Sequence, residues 1–197
     1  MSLNKLYDLA EITVGLVLKR KEAQRIDYTR EKYRTLTLKG FNQNGWIEDD
    51  ELDLFESNEV LDDKYITKAG DVIIRLSSPY TAISIDKKTE GLLIPSLFAV
   101  MRINSNKINS NFLAIYLNSE FVKHEYIRKT SFGVTIPTIR VVDLKEISID
   151  IPSKEKQVKV EKLFLSFIKE KQLNAKIIEY KEKYYNLISA SIFKGGK

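Results

Sequence analysis

The sequence predicts an α+β protein, a β-rich body with short helices followed by one long C-terminal helix. Three observations support this fold class. Short apolar runs bounded by turn residues fill most of residues 1–152, helical spacing appears at residues 109–129, and it returns without interruption at residues 153–193. Hydrophobic residues make up 43% of the chain, enough for a sizeable core. We therefore predict a body at residues 1–152 and a separate helical segment at residues 153–197.

The first half of the body is predicted to contain short strands joined by turns. Residues 5–18 fit a helical turn followed by a strand that ends near Gly15. Residues 33–38 alternate in the manner of a β-strand, and Trp46-Ile47 opens a short strand after an Asn-Gly turn. The acidic residues 48–63 are predicted to form a loop.

The second half of the body contains the strongest strand signal and a switch to helical spacing. Residues 72–76 (VIIRL after Asp71) form the most apolar short run, which is broken at Pro79. Residues 109–129 are predicted to form two short helices that meet near Asn118. The remaining predictions are strands at residues 81–85, 92–103, 137–139 and 147–151, and a loop at residues 130–134.

Residues 153–193 are predicted to form one continuous helix. Ser153 is in position to cap its start, and Gly195-Gly196 to end it. About 40 residues span roughly 60 Å, which is longer than a small domain is wide. Part of the apolar stripe is therefore expected to contact another chain. The predicted contact residues are Val160, Leu163, Phe164, Phe167, Ile177, Tyr184 and Ile188.

Charge is distributed unevenly along the chain. The net charge is +5, of which the segment from Lys154 onward carries +6 and the rest −1. Residues 19–39 contain eight basic and three acidic side chains, whereas residues 48–63 contain nine acidic side chains and no Lys or Arg. Local fields of this kind decide whether a polyanion is attracted. The alternative is that both runs are ordinary solvated faces.

Three basic clusters have the composition of a nucleic-acid contact, because Arg and Lys neutralise phosphates and Arg can pair with guanine. Each also has a structural alternative. Arg75 could pair with Asp71, and Tyr28 could cover the core. Arg128 could simply favour a helix C-terminus. The predicted DNA-binding residues are Arg20, Lys21, Arg25, Tyr28, Arg30, Lys32 and Arg34 in the first cluster, Arg75, Ser77, Ser78 and Tyr80 in the second, and Arg128, Lys129 and Ser131 in the third.

Motifs for catalysis and cofactor binding are absent from the sequence. There is no Cys, His124 is the only histidine, and no glycine-rich phosphate loop is present. We therefore predict a non-catalytic protein without metal or cofactor. One alternative remains, a Mg²⁺-dependent nuclease that uses the acidic residues 48–63 together with the basic loop. The lack of Cys and of a long apolar run predicts a cytoplasmic protein that does not enter a membrane.

A series of segments spread over nearly the whole chain resembles the specificity subunits of type I restriction–modification systems. The segments are LYDLAEITVGL, YRTLTLKGF with NQNGWI, KAGDVIIRLSSP, IPSLFAVMRIN, FLAIYLNSEF and GVTIPTIRVVDLKEISIDIPSKEKQ. The most specific are KAGDVIIRLSSP and the IPSKEKQ junction that runs into the long helix. The order of the segments adds to the resemblance.

The resemblance implies a target recognition domain at residues 1–152 and a coiled-coil dimerisation and spacer helix at residues 153–197. Each such domain reads one half of a split double-stranded DNA site. The helices pair, space the two domains and dock the methyltransferase subunits, through which the restriction and translocase subunit joins. One domain and one helix make half of a typical subunit, so the chain is expected to form a homodimer or to be part of a longer chain. The alternative from another class is a coiled-coil assembly module without DNA contact.

Overall fold

The computed structural model describes residues 3–129 and 137–194. Short strands dominate the body, and a single helix of 41 residues follows. The strands are β1 (Leu3–Lys5), β2 (Ala10–Val14), β3 (Glu31–Thr35), β4 (Phe41–Asn42), β5 (Trp46–Ile47), β6 (Asp53–Ser57), β7 (Val72–Arg75), β8 (Ala82–Ser84), β9 (Phe98–Ile103) and β10 (Ser148–Asp150). The helices are α1 (Ser110–Leu117), α2 (Glu120–Lys129), α3 (Val141–Lys145) and α4 (Lys154–Lys194).

A four-stranded antiparallel sheet, in the order β2-β9-β7-β8, separates two hydrophobic cores. Strand β7 is buried on both faces, because Val72 and Ile74 belong to one core and Ile73 to the other. This explains why its sequence is a continuous apolar run instead of an alternating one. The predicted strand at residues 72–76 is confirmed, with its last ladder residue at Arg75.

The two faces of this sheet are covered by different elements. Helices α1, α2 and α3 and strand β10 pack on one face, where Tyr126 and Leu144 are fully buried. The β4–β5 hairpin packs on the other face, where the Phe41 and Phe98 rings lie 4.9 Å apart. The predicted Asn-Gly turn connects the two strands of the hairpin, and Gly45 in it has φ +102°. The two short helices predicted at residues 109–129 are confirmed.

The acidic residues 48–63 were predicted to be a loop, and that prediction is wrong. They contain β6, which pairs antiparallel with the basic strand β3 along five residues. Its side chains alternate, so that Phe55 and Ser57 are buried while Leu54 is exposed. The high charge masked this alternation, because Glu56 of β6 pairs with Lys32 on β3 and is only partly exposed to water.

Two other element predictions need correction, and one helix was missed. Residues 92–97 are outside β9, although Leu93 bridges to the 33–38 region at Thr35. Residues 137–139 contribute an isolated bridge between Thr138 and Ser77 in place of a strand. Helix α3 was not predicted, because five residues are too few to show helical periodicity.

The predicted long helix is confirmed as α4. The Ser153 hydroxyl accepts a hydrogen bond from the Lys156 amide at 3.5 Å, so Ser153 has the predicted capping role. Gly195-Gly196 lie outside the described residues, as does the loop predicted at residues 130–134. The chain divides into two compact units, Met1–Glu161 and Lys162–Lys197. Across residues 3–129 and 137–194, no helix has the length and apolar character needed to cross a membrane.

Candidate nucleic-acid interface

The first basic cluster is held against strand β6 by backbone hydrogen bonds. Backbone hydrogen bonds join Ala23 N to Glu56 O at 2.9 Å, Asn58 N to Lys21 O at 2.9 Å and Arg30 N to Ser57 O at 2.8 Å. We call residues 18–35 and 53–58 the basic ribbon. Its inner face packs through Phe55 on a separate small core. The predicted basic loop is therefore exposed, but it is carried by a hydrogen-bonded scaffold.

Three cations of the basic ribbon are neutralised by acidic side chains. The pairs are Lys21–Glu59 at 2.7 Å, Lys32–Glu56 at 2.7 Å and Arg34–Asp49 at 2.5 Å. The hydrogen bond from Lys32, and then the one from the Thr29 hydroxyl, lower the pKa of Glu56. Lys21, Lys32 and Arg34 therefore contribute less net charge to the surface than the sequence suggests.

The other arginines of the ribbon are exposed, and within the described part of the chain they form no ion pair. They are Arg20, Arg25 and Arg30. Arg30 lines an open groove of about 560 Å³ together with Tyr28, whose side chain is 61% exposed. The amides of Gln24 and Asn58 and the carboxylates of Glu22 and Asp27 line the same groove. A cation, a free aromatic face and amide groups are the side chains that bind phosphates and bases.

The second cluster is divided between the surface and the core. The Arg75 Nε donates to the Ser77 hydroxyl at 3.1 Å, and Ser78 is exposed. The alternative that Arg75 pairs with Asp71 does not hold, since Asp71 lies 3.5 Å from the Nε of Arg102. Burial raises the pKa of Asp71. The hydrogen bond from the Lys68 amide and the charge of Arg102 lower it, but the effect of burial is larger.

Tyr80 is a core residue, contrary to the prediction that it lies on a surface loop. It is 5% exposed, its ring lies 5.5 Å from that of Tyr126, and its hydroxyl donates to Pro137 O at 3.4 Å. Its φ of +56° places the backbone in the left-handed region, which turns the side chain inward after the strand break. Tyr80 therefore does not lie on the predicted surface.

Arg128 is the one member of the third cluster whose side chain the structure describes. Arg128 is exposed near the C-terminus of α2, which contacts Tyr80 through Tyr126. Only the backbone of Lys129 is described, as the last residue of α2, and Ser131 lies outside the described residues. We call Arg75, Ser77, Ser78 and Arg128, which are near the paired rings of Tyr80 and Tyr126 in the sequence, the basic edge.

The long helix begins on a polar network that the sequence analysis did not identify. Gln157 is 2% exposed, and its amide nitrogen donates to Lys107 O at 2.7 Å and Pro152 O at 3.0 Å. Its amide oxygen accepts from Asn109 N at 3.2 Å. Glu161 accepts from the side chains of Asn109 at 3.1 Å and Asn111 at 2.5 Å. Apart from Pro152, the partners are about 50 positions away in the sequence, and no local pattern marks them.

The predicted contact residues of α4 are mostly exposed. Six have exposed fractions of 39% or more, and Phe164 is half-buried. The six are Val160 at 39%, Leu163 at 75%, Phe167 at 48%, Ile177 at 49%, Tyr184 at 68% and Ile188 at 40%. The helix therefore presents large apolar side chains to solvent in the single chain.

Little in the described ranges suggests metal chemistry. Over residues 3–129 and 137–194, no three His, Asp or Glu side chains are grouped so that they could hold a metal ion. His124 is exposed on α2. The acidic residues 48–63 instead contribute to β6 and to the ion pairs with the basic ribbon.

The sequence of residues 3–180 matches the family described as type I restriction modification DNA specificity domain. The chain belongs to this family. The resemblance in the sequence is thereby confirmed, and with it the assignment to DNA-binding specificity proteins that contain a target recognition domain. The family is generally non-catalytic. No curated protein sequence matches the chain.

Solved specificity subunits have the same fold at low sequence identity. The type I S subunit from M. genitalium is 15% identical with a TM-score of 0.60, and the match covers 100% of this chain and 46% of that one. The HsdS subunit from Thermoanaerobacter tengcongensis is 13% identical with a TM-score of 0.64, covering 95% and 46%. A chain from a structure on complex assembly and conformational transition of the type I R-M system is 14% identical with a TM-score of 0.60, covering 98% and 45%. The predicted fold class is confirmed, and the chain spans a little under half the length of these solved chains.

Proposed function

We propose that the chain is the sequence-specific DNA recognition subunit of a type I restriction–modification complex and reads one half of a bipartite site. The observation that carries the proposal is the family match over residues 3–180. Methyltransferase subunits dock on the chain, and the restriction and translocase subunit joins through them. Methylation and cleavage reside in those partners, and the chain acts in the cytoplasm, where its DNA lies.

The unpaired arginines of the basic ribbon supply the phosphate contacts. Arg20, Arg25 and Arg30 are exposed and keep their full charge, whereas the neighbouring cations are neutralised by acidic side chains. Phosphate contacts give affinity and fix the position of the protein on the duplex without reading sequence. The basic edge formed by Arg75, Ser77, Ser78 and Arg128 is the second surface we assign to DNA.

Two copies of the chain pair through α4, in an antiparallel arrangement. The exposed apolar residues of the helix, such as Leu163 and Phe167, support this pairing. A two-fold pair of recognition domains reads an interrupted palindrome, because each copy contributes the same contacts. A coiled-coil assembly module would use the same helix but would leave the exposed arginines of the ribbon without a role.

The test is DNA binding by the chain assembled with its methyltransferase subunits, measured as a function of salt. Arg25→Ala combined with Arg30→Ala should lower the logarithmic salt slope by about 1.8, since each lost phosphate contact removes about 0.9. The matched control is Lys87→Ala with Lys88→Ala, which removes the same charge from an exposed turn elsewhere. Footprinting of the parent complex should show two separated protected blocks.

Three outcomes would count against the proposal. Equal salt slopes for the two double variants would remove the basic ribbon from the DNA contact. Binding of the parent complex without any sequence preference, at all salt concentrations, would favour the assembly module. Mg²⁺-dependent cleavage of DNA by the purified chain alone would favour the nuclease.

A further inference from the structure

We infer that the outer face of the paired strands β3 and β6 enters the major groove of DNA and that Arg34, oriented by Asp49, reads a guanine there. This inference rests on the proposed function and specifies which side chains select the sequence. It separates residues that recognise a base from the unpaired arginines that hold phosphates.

The shape of the paired strands suits the groove. Five residues on each strand, at about 3.4 Å per residue, make a ribbon roughly 17 Å long. The B-DNA major groove is about 12 Å wide and admits a two-stranded β-ribbon. Because side chains alternate, Tyr33 and Phe55 anchor the inner face in the small core. The outer face is left to Lys32 opposite Glu56 and Arg34 opposite Leu54.

Arg34 is held in one orientation with part of its guanidinium free. One terminal nitrogen donates to Asp49 Oδ1 at 2.5 Å and to Asp49 O at 3.4 Å. Within the described residues the remaining nitrogens of Arg34 donate to no partner, and its side chain is 49% exposed. A guanidinium presents several donors in a rigid fork, so a fork fixed at one end still offers two parallel donors. Guanine O6 and N7 accept that pair of donors.

The ion pair itself has little value for folding. The Asp49 side chain is 74% exposed, and exposed ion pairs contribute little to stability. Because the ion pair adds little stability and the other face of the strand is already anchored, we assign the pair the role of orienting Arg34. Asp49 is then a positioning residue and Arg34 the residue that touches the base.

Leu54 provides the second feature of this face. It lies directly opposite Arg34 and is 63% exposed, surrounded by charged neighbours. Apolar side chains in the major groove contact the thymine methyl group. At the other end of the face, Glu56 accepts from Lys32 at 2.7 Å and from Thr29 at 2.9 Å. These bonds link the segment around Thr29 to strand β6, so that the outer face forms one surface.

The experiment determines the preferred DNA site of the chain assembled with its methyltransferase subunits, by selection from a randomised duplex library. The variants are Arg34→Lys, which keeps the charge and loses the fork, and Asp49→Asn, which keeps the shape and loses the ion pair. The control is Arg140→Lys, an equal change at an exposed arginine that also pairs with an aspartate, Asp143, but lies outside the basic ribbon. Thermal unfolding of each variant confirms that it is folded.

We expect Arg34→Lys to reduce the preference for guanine at one position of each half-site by about 10-fold, with little change in binding to non-specific DNA. Asp49→Asn should reduce the preference at the same position by a smaller factor, and Arg140→Lys should leave every position unchanged. If the parent complex selects a site and both Arg34→Lys and Asp49→Asn select it equally well, the inference is overturned while the proposed function stands. If the parent complex selects no sequence, the proposed function itself fails.

Discussion

Replacement of Gln157 by methionine should destabilise the body, because this side chain fastens the first turns of α4 to the segment before α1. The side chain is 2% exposed and forms three hydrogen bonds, two to carbonyl oxygens and one from an amide. Methionine has a similar length and no polar atoms that could replace them. The variant leaves Lys107 O, Pro152 O and Asn109 N without these partners.

The magnitude follows from the number of bonds. A typical intramolecular hydrogen bond contributes about 1 kcal/mol net, so three of them contribute about 3 kcal/mol. For a chain of this size each kcal/mol lowers the melting temperature by about 2–4 °C, which gives a decrease of about 6–12 °C. The Asn109 side chain should keep its cap on the Phe112 amide at 2.6 Å, so α1 itself should persist.

The assay is urea unfolding of the parent and the variant, followed by circular dichroism and checked by calorimetry. The matched control is Gln172→Met, a substitution of the same type on α4 at a residue with no side-chain hydrogen bond in the described ranges. A loss of less than about 1 kcal/mol for Gln157→Met, or a loss equal to that of the control, would refute the hydrogen-bond argument.

Two further predictions concern the long helix and the basic ribbon. Leu163→Asp combined with Phe167→Asp should reduce the mass of the purified chain, measured by light scattering, from that of a dimer to that of a monomer, because charges replace exposed apolar contacts. Leu165→Asp is the control, since Leu165 is also 48% exposed but lies off the stripe. For the ribbon, the pKa of Glu56 is lowered from its ordinary value of 4.5 by the hydrogen bond from Lys32. Its contribution to stability is therefore present above that value and is lost as the pH falls through the lower folded value. The stability difference between the parent and Glu56→Gln should accordingly shrink as the pH falls below 4.5.

Each of these two predictions has a result that would contradict it. A dimer mass that survives the two aspartates would remove this stripe from the interface, and an equal effect of Leu165→Asp would indicate loss of folding instead of loss of pairing. For Glu56, a stability difference that stays constant or grows on acidification would show that the carboxylate is not stabilised by its partners in the folded state.

The elements that the sequence predicted correctly are those with a local signal. Strand β7, the two helices α1 and α2 and the long helix α4 all show their own periodicity or apolar run. The family resemblance came from short segments in a fixed order, which the match over residues 3–180 confirmed. The exposed character of Arg20, Arg25 and Arg30 followed from composition alone.

The tertiary structure decided which charges are free and which are paired. Strand β6 was missed because its residues look solvated in isolation, and only the pairing with β3 brings Lys32 next to Glu56. Burial of Tyr80 depends in the same way on a helix nearly 50 positions later. Local periodicity, apolar content and the order of segments are written along the chain, so the sequence by itself determined the fold class and the family. Ion pairing and burial depend on contacts between distant segments, so the arrangement of the candidate interface became visible only in the folded protein.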